Sequence, residues 1–174
     1  MSTVTDLARA YHFAAVKHVS QRRKGQAAEP YMNHLTEVAE LVATATGGAD
    51  IDVVIAAVLH DTVEDTETSF DELATAFGKR VSNLVAEVTD DKSLPKAERK
   101  LLQIEHAAHA SNEAKVIKLA DKTANLRALA SSPPADWTTE RRQEYVNWAR
   151  KVVAGCRGIN RWLENQFDMA AASM

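Results

Sequence analysis

An apolar run, Val53-Val54-Ile55-Ala56-Ala57-Val58-Leu59, ends directly in His60-Asp61 and then Glu64-Asp65. A stretch this apolar reads as the buried part of a helix. The groups at its end then need partners, because an unpaired buried carboxylate costs several kcal/mol or simply protonates. Helical spacing sets His60 and Glu64 at i, i+4, and Asp61 and Asp65 likewise, so the four are expected to project as one polar cluster. A bound cation is the simplest partner, with carboxylates left over for chemistry. A helix end running into a solvated acidic loop is the competing reading.

Two other residues stand in similar settings. His34, in PYMNHLTEVAELV, shares a helical face with Val38, Leu41 and Val42. Asp121, in EAKVIKLADKTANLRAL, is surrounded in helical rhythm by Val116, Ile117, Ala120, Ala124 and Leu126. Taken alone, His34 reads equally well as a hydrogen-bonded core histidine and Asp121 as half of a buried ion pair. Together with His60 and Asp61 they make a set of two imidazoles and two carboxylates, which favours a metal site.

Composition sets the outer bounds. The 174 residues suffice for one domain with a substantial core, and 45% hydrophobic with 26% charged residues is the balance of a soluble globular protein. No apolar run approaches the roughly 20 residues of a membrane span. The N-terminal MSTVTDLARAYHFAA lacks the basic and apolar regions of a signal peptide. The lone Cys156 excludes an internal disulfide and any CxxC zinc pattern. These features lead us to expect a cytoplasmic protein. A net charge of −3 argues against general nucleic-acid binding. Basic residues are nonetheless grouped (Arg22, Arg23 and Lys24; Lys92, Lys96, Arg99 and Lys100; Arg141 and Arg142), which suits a small polyanionic ligand.

Along the chain, helix follows helix. The 3.6-residue pattern predicts helices over about 4–20, from Pro30 to about Ala45 with a stop at Gly47-Gly48, and from the cap Asp50 to His60–Thr62. Ser69 to Glu72 reads as a capping box opening a short helix to Gly78. Further helices are expected over about 79–89, from Pro95 to about 109, and from the cap Ser111 through Asp121. A long final helix from Thr138 or Thr139, kinked near Gly155 to Gly158, closes the chain. RRKGQAAEP is expected to be a loop. The fold class predicted is all-α, a compact multi-helix bundle over 1–174 as one domain, with the site residues converging from separate helices.

The order His34 … His60-Asp61 … Asp121 resembles that of the HD superfamily of metal-dependent phosphohydrolases. RRKG-x4-PYMNHL, AAVLHDTVEDT, EVTDDKSLPKAERK and KLADKTANLRAL sharpen this to the hydrolase domain of RelA/SpoT proteins. The resemblance spans roughly residues 5 to 155, and ERRQEYVNWA extends it toward the stand-alone, metazoan SpoT-like small alarmone hydrolases. No segment after Asp121 is long enough for a synthetase domain. Leu35 stands where the family often has Pro, which touches helix packing more than ligation.

The resemblance implies removal of the 3′-pyrophosphate of guanosine tetra- or pentaphosphate, giving GDP or GTP and pyrophosphate. It implies one Mn2+ per chain, held by His34, His60, Asp61 and Asp121. The ligand set itself points to a harder divalent ion but does not exclude zinc, which affinity order favours. Glu64 and Asp65 are the expected general base and its partner, in an unresolved split. By matched position, Arg23 is expected to stack on the base, Lys24 to supply charge, Asn125 to contact the ribose, and Lys96, Arg141 and Tyr145 to contact phosphate. Arg22, Lys92, Arg99 and Lys100 are read as surface charge. Alternative readings are a phosphatase of NADPH or of adenosine alarmones, and a non-catalytic alarmone-binding module. Oligomeric state is left open, with a homodimer among the options.

Overall fold

Leu59 and Ile55 have no exposed surface, and every residue from Val53 to Leu59 is buried. The apolar run is therefore the spine of the molecule. The computed structural model describes residues 2–174. The run forms helix α3 (Ile51–Leu59), which packs against α1 (Val4–Lys17), α2 (Met32–Thr46) and α6 (Lys79–Val88). Each fully buried aliphatic side chain in such a helix contributes about 1.5–3 kcal/mol through removal of apolar surface from water. Asp50 caps α3 by accepting from the Asp52 N–H at 3.2 Å.

Helix α2 ends where the left-handed Gly47 (φ 63°) turns the chain and bonds back to Ala43 and Thr44 carbonyls. A single four-residue turn, α4 (Thr62–Asp65), follows α3 after a break at His60-Asp61. Helices α5 (Phe70–Phe77) and α6 meet at Gly78. Ser69 accepts from Glu72 N as the sequence predicts, but the Glu72 carboxylate pairs with Lys17 at 2.9 Å instead of completing the box. That ion pair ties α5 to α1 through a long-range contact that local spacing does not reveal.

Helices α7 (Lys96–His109) and α8 (Asn112–Ser131) carry the next functional residues. Ser111 caps α8 by accepting from Ala114 N at 3.2 Å. Helix α8 packs against α2, α3, α6, α9 (Thr139–Ala154) and α10 (Arg161–Ala172). Buried on several sides, it has no solvent-exposed residue from Val116 to Leu126. The expected long final helix is instead two: α9 stops at Ala154, the chain turns through Gly158 (φ 87°), and Asn160 caps α10 by accepting from Leu163 N at 2.9 Å. A positive-φ glycine followed by an Asn cap ends one helix and starts another, where a kink would have kept one.

The RRKG segment is a loop pinned at both ends. Arg23 N donates to Glu29 O at 2.9 Å and Tyr31 N to Gln21 O at 3.0 Å around an isolated Arg22–Pro30 bridge. Its tip lies on the C-terminal end of α8, with Ala27 N donating to Ser132 Oγ at 3.0 Å. A Cβ on Gly25 would lie 2.1 Å from the Ser132 carbonyl oxygen, so only glycine permits this approach.

Candidate active site

Three helical segments deliver the predicted ligands to one point: α2 brings His34, the α3–α4 break brings His60 and Asp61, and α8 brings Asp121. His34, His60 and Asp121 each offer an atom within 4.8 Å of the others. Asp61 joins them, its Oδ2 lying 3.2 Å from His60 Nε2 and 3.6 Å from His34 Nε2. His34 Nε2 lies 3.2 Å from Asp121 Oδ1.

The hydrogen bonding of His60 tests whether this set fits a cation. Its Nδ1 lies 2.8 Å from the Ala57 carbonyl oxygen, which can only accept, so Nδ1 carries a proton. In the neutral ring Nε2 then holds a lone pair aimed at two carboxylates, with no hydrogen-bond partner among the described residues. Lone pair and anions facing one another need a positive charge between them. Burial opposes protonation of His60, but Asp61 and Asp121 together raise its pKa well above the ordinary value. Burial likewise pushes Asp61 and Asp121 up, yet His60 and His34 hold Asp61 well below the usual carboxylate range. Lys122 and His34 do the same for Asp121. A divalent cation satisfies the same demand as those protons while leaving the imidazoles neutral. The donors are nitrogen and oxygen only, and Cys156 is buried elsewhere against Val152.

Second-layer contacts hold the carboxylates. The Tyr31 hydroxyl donates to Asp61 Oδ2 at 2.5 Å, and burial and the Asp61 charge raise its own pKa so that it stays a donor. Lys122 donates to Asp121 Oδ2 at 2.9 Å, and Asn125 Nδ2 to Asp121 Oδ1 at 2.6 Å. Asp121 thus faces the histidines and is at the same time half of a buried ion pair with Lys122.

Glu64 and Asp65 are not equivalent. With His60 and Asp61 they line one cavity, as the helical spacing predicts, but each is held by a different partner. Glu64 Oε2 accepts from the Asp90 N–H at 3.1 Å. Burial and the nearby Asp61 charge push Glu64 up to about 7. Asp65 accepts from Gln21 Nε2 at 2.8 Å and is paired with Lys92.

A narrow cavity of about 370 Å³ opens over this cluster, lined by His60, Asp61, Glu64, Lys118 and Asp121 among others. A wider one of about 770 Å³ continues outward. Arg23, Lys24, Lys96, Asn125, Arg141 and Tyr145 all line the wider cavity, so every residue assigned to substrate lies on one continuous surface. Arg23 Nη2 donates to Asn125 Oδ1 at 2.9 Å and its guanidinium lies 5.7 Å from the Tyr31 ring. Arg141 lies over the Trp137 ring at 4.6 Å. Tyr145 packs between Trp137 and Trp148, and burial pushes its phenol up to about 12.

The residues read as surface charge lie at the site's walls. Lys92 and Arg99 line both cavities and Lys100 the wider one, Arg99 and Lys100 because α7 crosses the site beside α9. Arg22 also borders the wider cavity, but it is exposed and bonds its own loop carbonyls. Tyr31, Gln103, Lys118, Lys122 and the tryptophans escape a search for ligands and nucleophiles. Lys118 and Lys122 had a signal, since they lie at i−3 and i+1 from Asp121 in an apolar helix. Tyr31 had one too, three residues before His34. The tryptophans had none.

The family model described as HD domain matches residues 10–152. The chain is 53% identical over 159 residues to the guanosine-3′,5′-bis(diphosphate) 3′-pyrophosphohydrolase MESH1 of Xenopus tropicalis, covering 91% of this chain and 89% of that one. It is 52% identical over 163 residues to the Homo sapiens protein of the same name, covering 94% and 91%. A solved structure of a metazoan ortholog of SpoT that hydrolyzes ppGpp superposes with a TM-score of 0.93 at 47% identity, over 98% of this chain and 96% of that one. With the His34, His60-Asp61 and Asp121 signature assembled at one point, the chain belongs to the HD domain family, beside the metazoan relatives of SpoT.

Proposed function

We propose that this chain hydrolyses the 3′-pyrophosphate of guanosine tetra- and pentaphosphate, giving GDP or GTP and pyrophosphate, with one Mn2+ held by His34, His60, Asp61 and Asp121. The observation that carries the reading is a cation-demanding cluster at the floor of a basic cavity, in a chain about half identical to named hydrolases of this class. When bound, the divalent ion supplies Lewis acidity toward the phosphoryl group and lowers the pKa of water.

The protein's own groups do the rest. Glu64, held by Asp90 N–H and raised toward neutrality by burial, takes the proton of the attacking water. Asp65, tied to Gln21 and Lys92, keeps that wall in place. Lys122 neutralises the outer oxygen of Asp121 and so holds a ligand in position. Arg23 and Asn125, already bonded to one another, present a planar cation and an amide to the nucleoside. Lys24, Lys96, Arg141 and Tyr145 receive its phosphates. The whole of residues 1–174 acts as one domain, in the cytoplasm, on a free nucleotide.

The test is guanosine tetraphosphate with and without Mn2+, with products resolved by chromatography and phosphorus NMR. GDP and intact pyrophosphate are expected only with metal. Release of two orthophosphates as primary products, or equal turnover of NADPH, would replace this reading with a general nucleotide phosphatase.

A further inference from the structure

Helix α8 turns one face to the narrow cavity, and that face carries Lys118 as well as Asp121, Lys122 and Asn125. The spacing is i, i+3, i+4, i+7, a single stripe. The role of Asp121 is proposed above, and Lys122 is spoken for by its ion pair. Lys118 is not. It is 7% exposed, yet among the described residues no carboxylate lies within 4.0 Å of its ammonium. Burial and the Lys122 charge draw its pKa down, against the weaker upward pull of Asp90 and Asp121, neither of which pairs with it. A buried lysine without an anion is costly unless something else supplies one.

Arg99 of α7 lines the same cavity. Its Nε is buried and has no hydrogen-bond partner among the described residues, and no carboxylate pairs with it. The other cations of the narrow cavity differ. Lys92 is matched to Asp65 and Lys122 to Asp121, while Lys24 is exposed to solvent on the RRKG loop. Two cations of this cavity, one buried and one half-buried, are therefore left without an anion of the protein's own.

The proposed reaction delivers an anion there. Water oxygen bonds to the phosphorus nearest the ribose, the bond from that phosphorus to the 3′-oxygen breaks, one water proton goes to Glu64, and the 3′-oxygen gains a proton. The fragment moved onto water is a diphosphate, and it must lie beside the metal cluster, away from the base and ribose. We propose that Lys118 and Arg99 form a subsite for this diphosphate, separate from the residues that hold the nucleoside and its 5′ phosphates. The inference rests on the hydrolase reading above.

The experiment measures equilibrium binding of inorganic pyrophosphate and, separately, of GDP to the full chain with Mn2+ in excess. Lys118→Met keeps the buried stem and removes the charge; Arg99→Gln does so at a partly exposed position. Each is expected to weaken pyrophosphate binding about 10- to 100-fold, the worth of one charge-assisted hydrogen bond, with GDP binding unchanged. Lys118→Arg restores most of the loss. Unchanged pyrophosphate affinity in both neutral variants overturns the proposal, as does an equal loss of GDP affinity. If Lys118→Met fails to fold, Arg99→Gln decides alone by the same readings. If the wild-type chain leaves guanosine tetraphosphate intact but binds pyrophosphate through Lys118, the hydrolase reading fails and the subsite stands.

Discussion

The Tyr31 hydroxyl donates to Asp61 Oδ2 at 2.5 Å, coupling the residue just before α2 to a residue 30 positions later at the end of the apolar spine. The ring of Tyr31 also stacks on His18 at 5.4 Å and meets the edge of His34 at 5.5 Å. Tyr31→Phe keeps the ring and removes only the donor. It should weaken divalent-metal affinity by about 10–100-fold, as outer partners of ligating carboxylates typically do. Titration with Mn2+ followed by electron paramagnetic resonance checks this. Unaltered affinity would mean that the hydroxyl does not orient Asp61.

Asp61→Ala and Asp121→Ala remove ligands and should lose metal and turnover together. Glu64→Gln removes the base while keeping the shape, so metal stays and kcat falls about 10²–10⁴-fold. Near-normal kcat in a metal-replete Glu64→Gln protein would take the base role away from Glu64.

Glu64 also makes a prediction about stability. Its folded pKa, about 7, lies above the ordinary 4.5. The folded protein therefore binds a proton that the unfolded chain has released, and the proton's contribution is present below pH 4.5 and lost as pH rises through 7. At pH 8 the metal-free protein carries a penalty on the order of 3 kcal/mol from this one carboxylate. Glu64→Gln should then melt higher than wild type at pH 8 and lose that advantage at pH 5, both measured without metal by calorimetry. A pH-independent difference would place Glu64 in a better-solvated setting.

Gly25→Ala sets a methyl group 2.1 Å from the Ser132 carbonyl oxygen, so the RRKG loop must lift off α8. Arg23 and Lys24 move with it. KM should rise at least tenfold with metal affinity intact, since the ligands lie on other elements; one lost charge-assisted contact suffices for that. A parallel loss of metal would show instead that the loop supports the ligands.

Neutralising Arg23, Lys24 and Lys96 together should raise KM and flatten its dependence on salt, because the ligand is a polyanion and screening weakens its attraction to partly exposed cations. KM measured over a range of ionic strength checks this. A wild-type salt slope in the triple variant would make these three residues solvated surface.

Much of this protein was legible before any fold was known, for a local reason. Caps, glycine stops and the 3.6-residue rhythm are short-range, so the helices up to α8, the single turn α4 excepted, are predicted close to where they form. The groups proposed to hold the metal betray themselves by chemistry out of place: His60-Asp61 after Leu59, and Asp121 amid Ile117, Ala120 and Ala124. What only the tertiary structure decided is who meets whom. Glu64 differs from Asp65 because a backbone N–H at Asp90, 26 residues away, reaches one and Gln21 with Lys92 reaches the other. Arg99 and Lys118 read as ordinary basic residues in sequence; packing of α7 and α8 around one cavity buries Lys118 and the Nε of Arg99 without giving either an anion. Charge is a property of a residue, but whether that charge is solvated, paired or waiting for a ligand depends on burial, and burial is set by contacts between helices far apart in the chain.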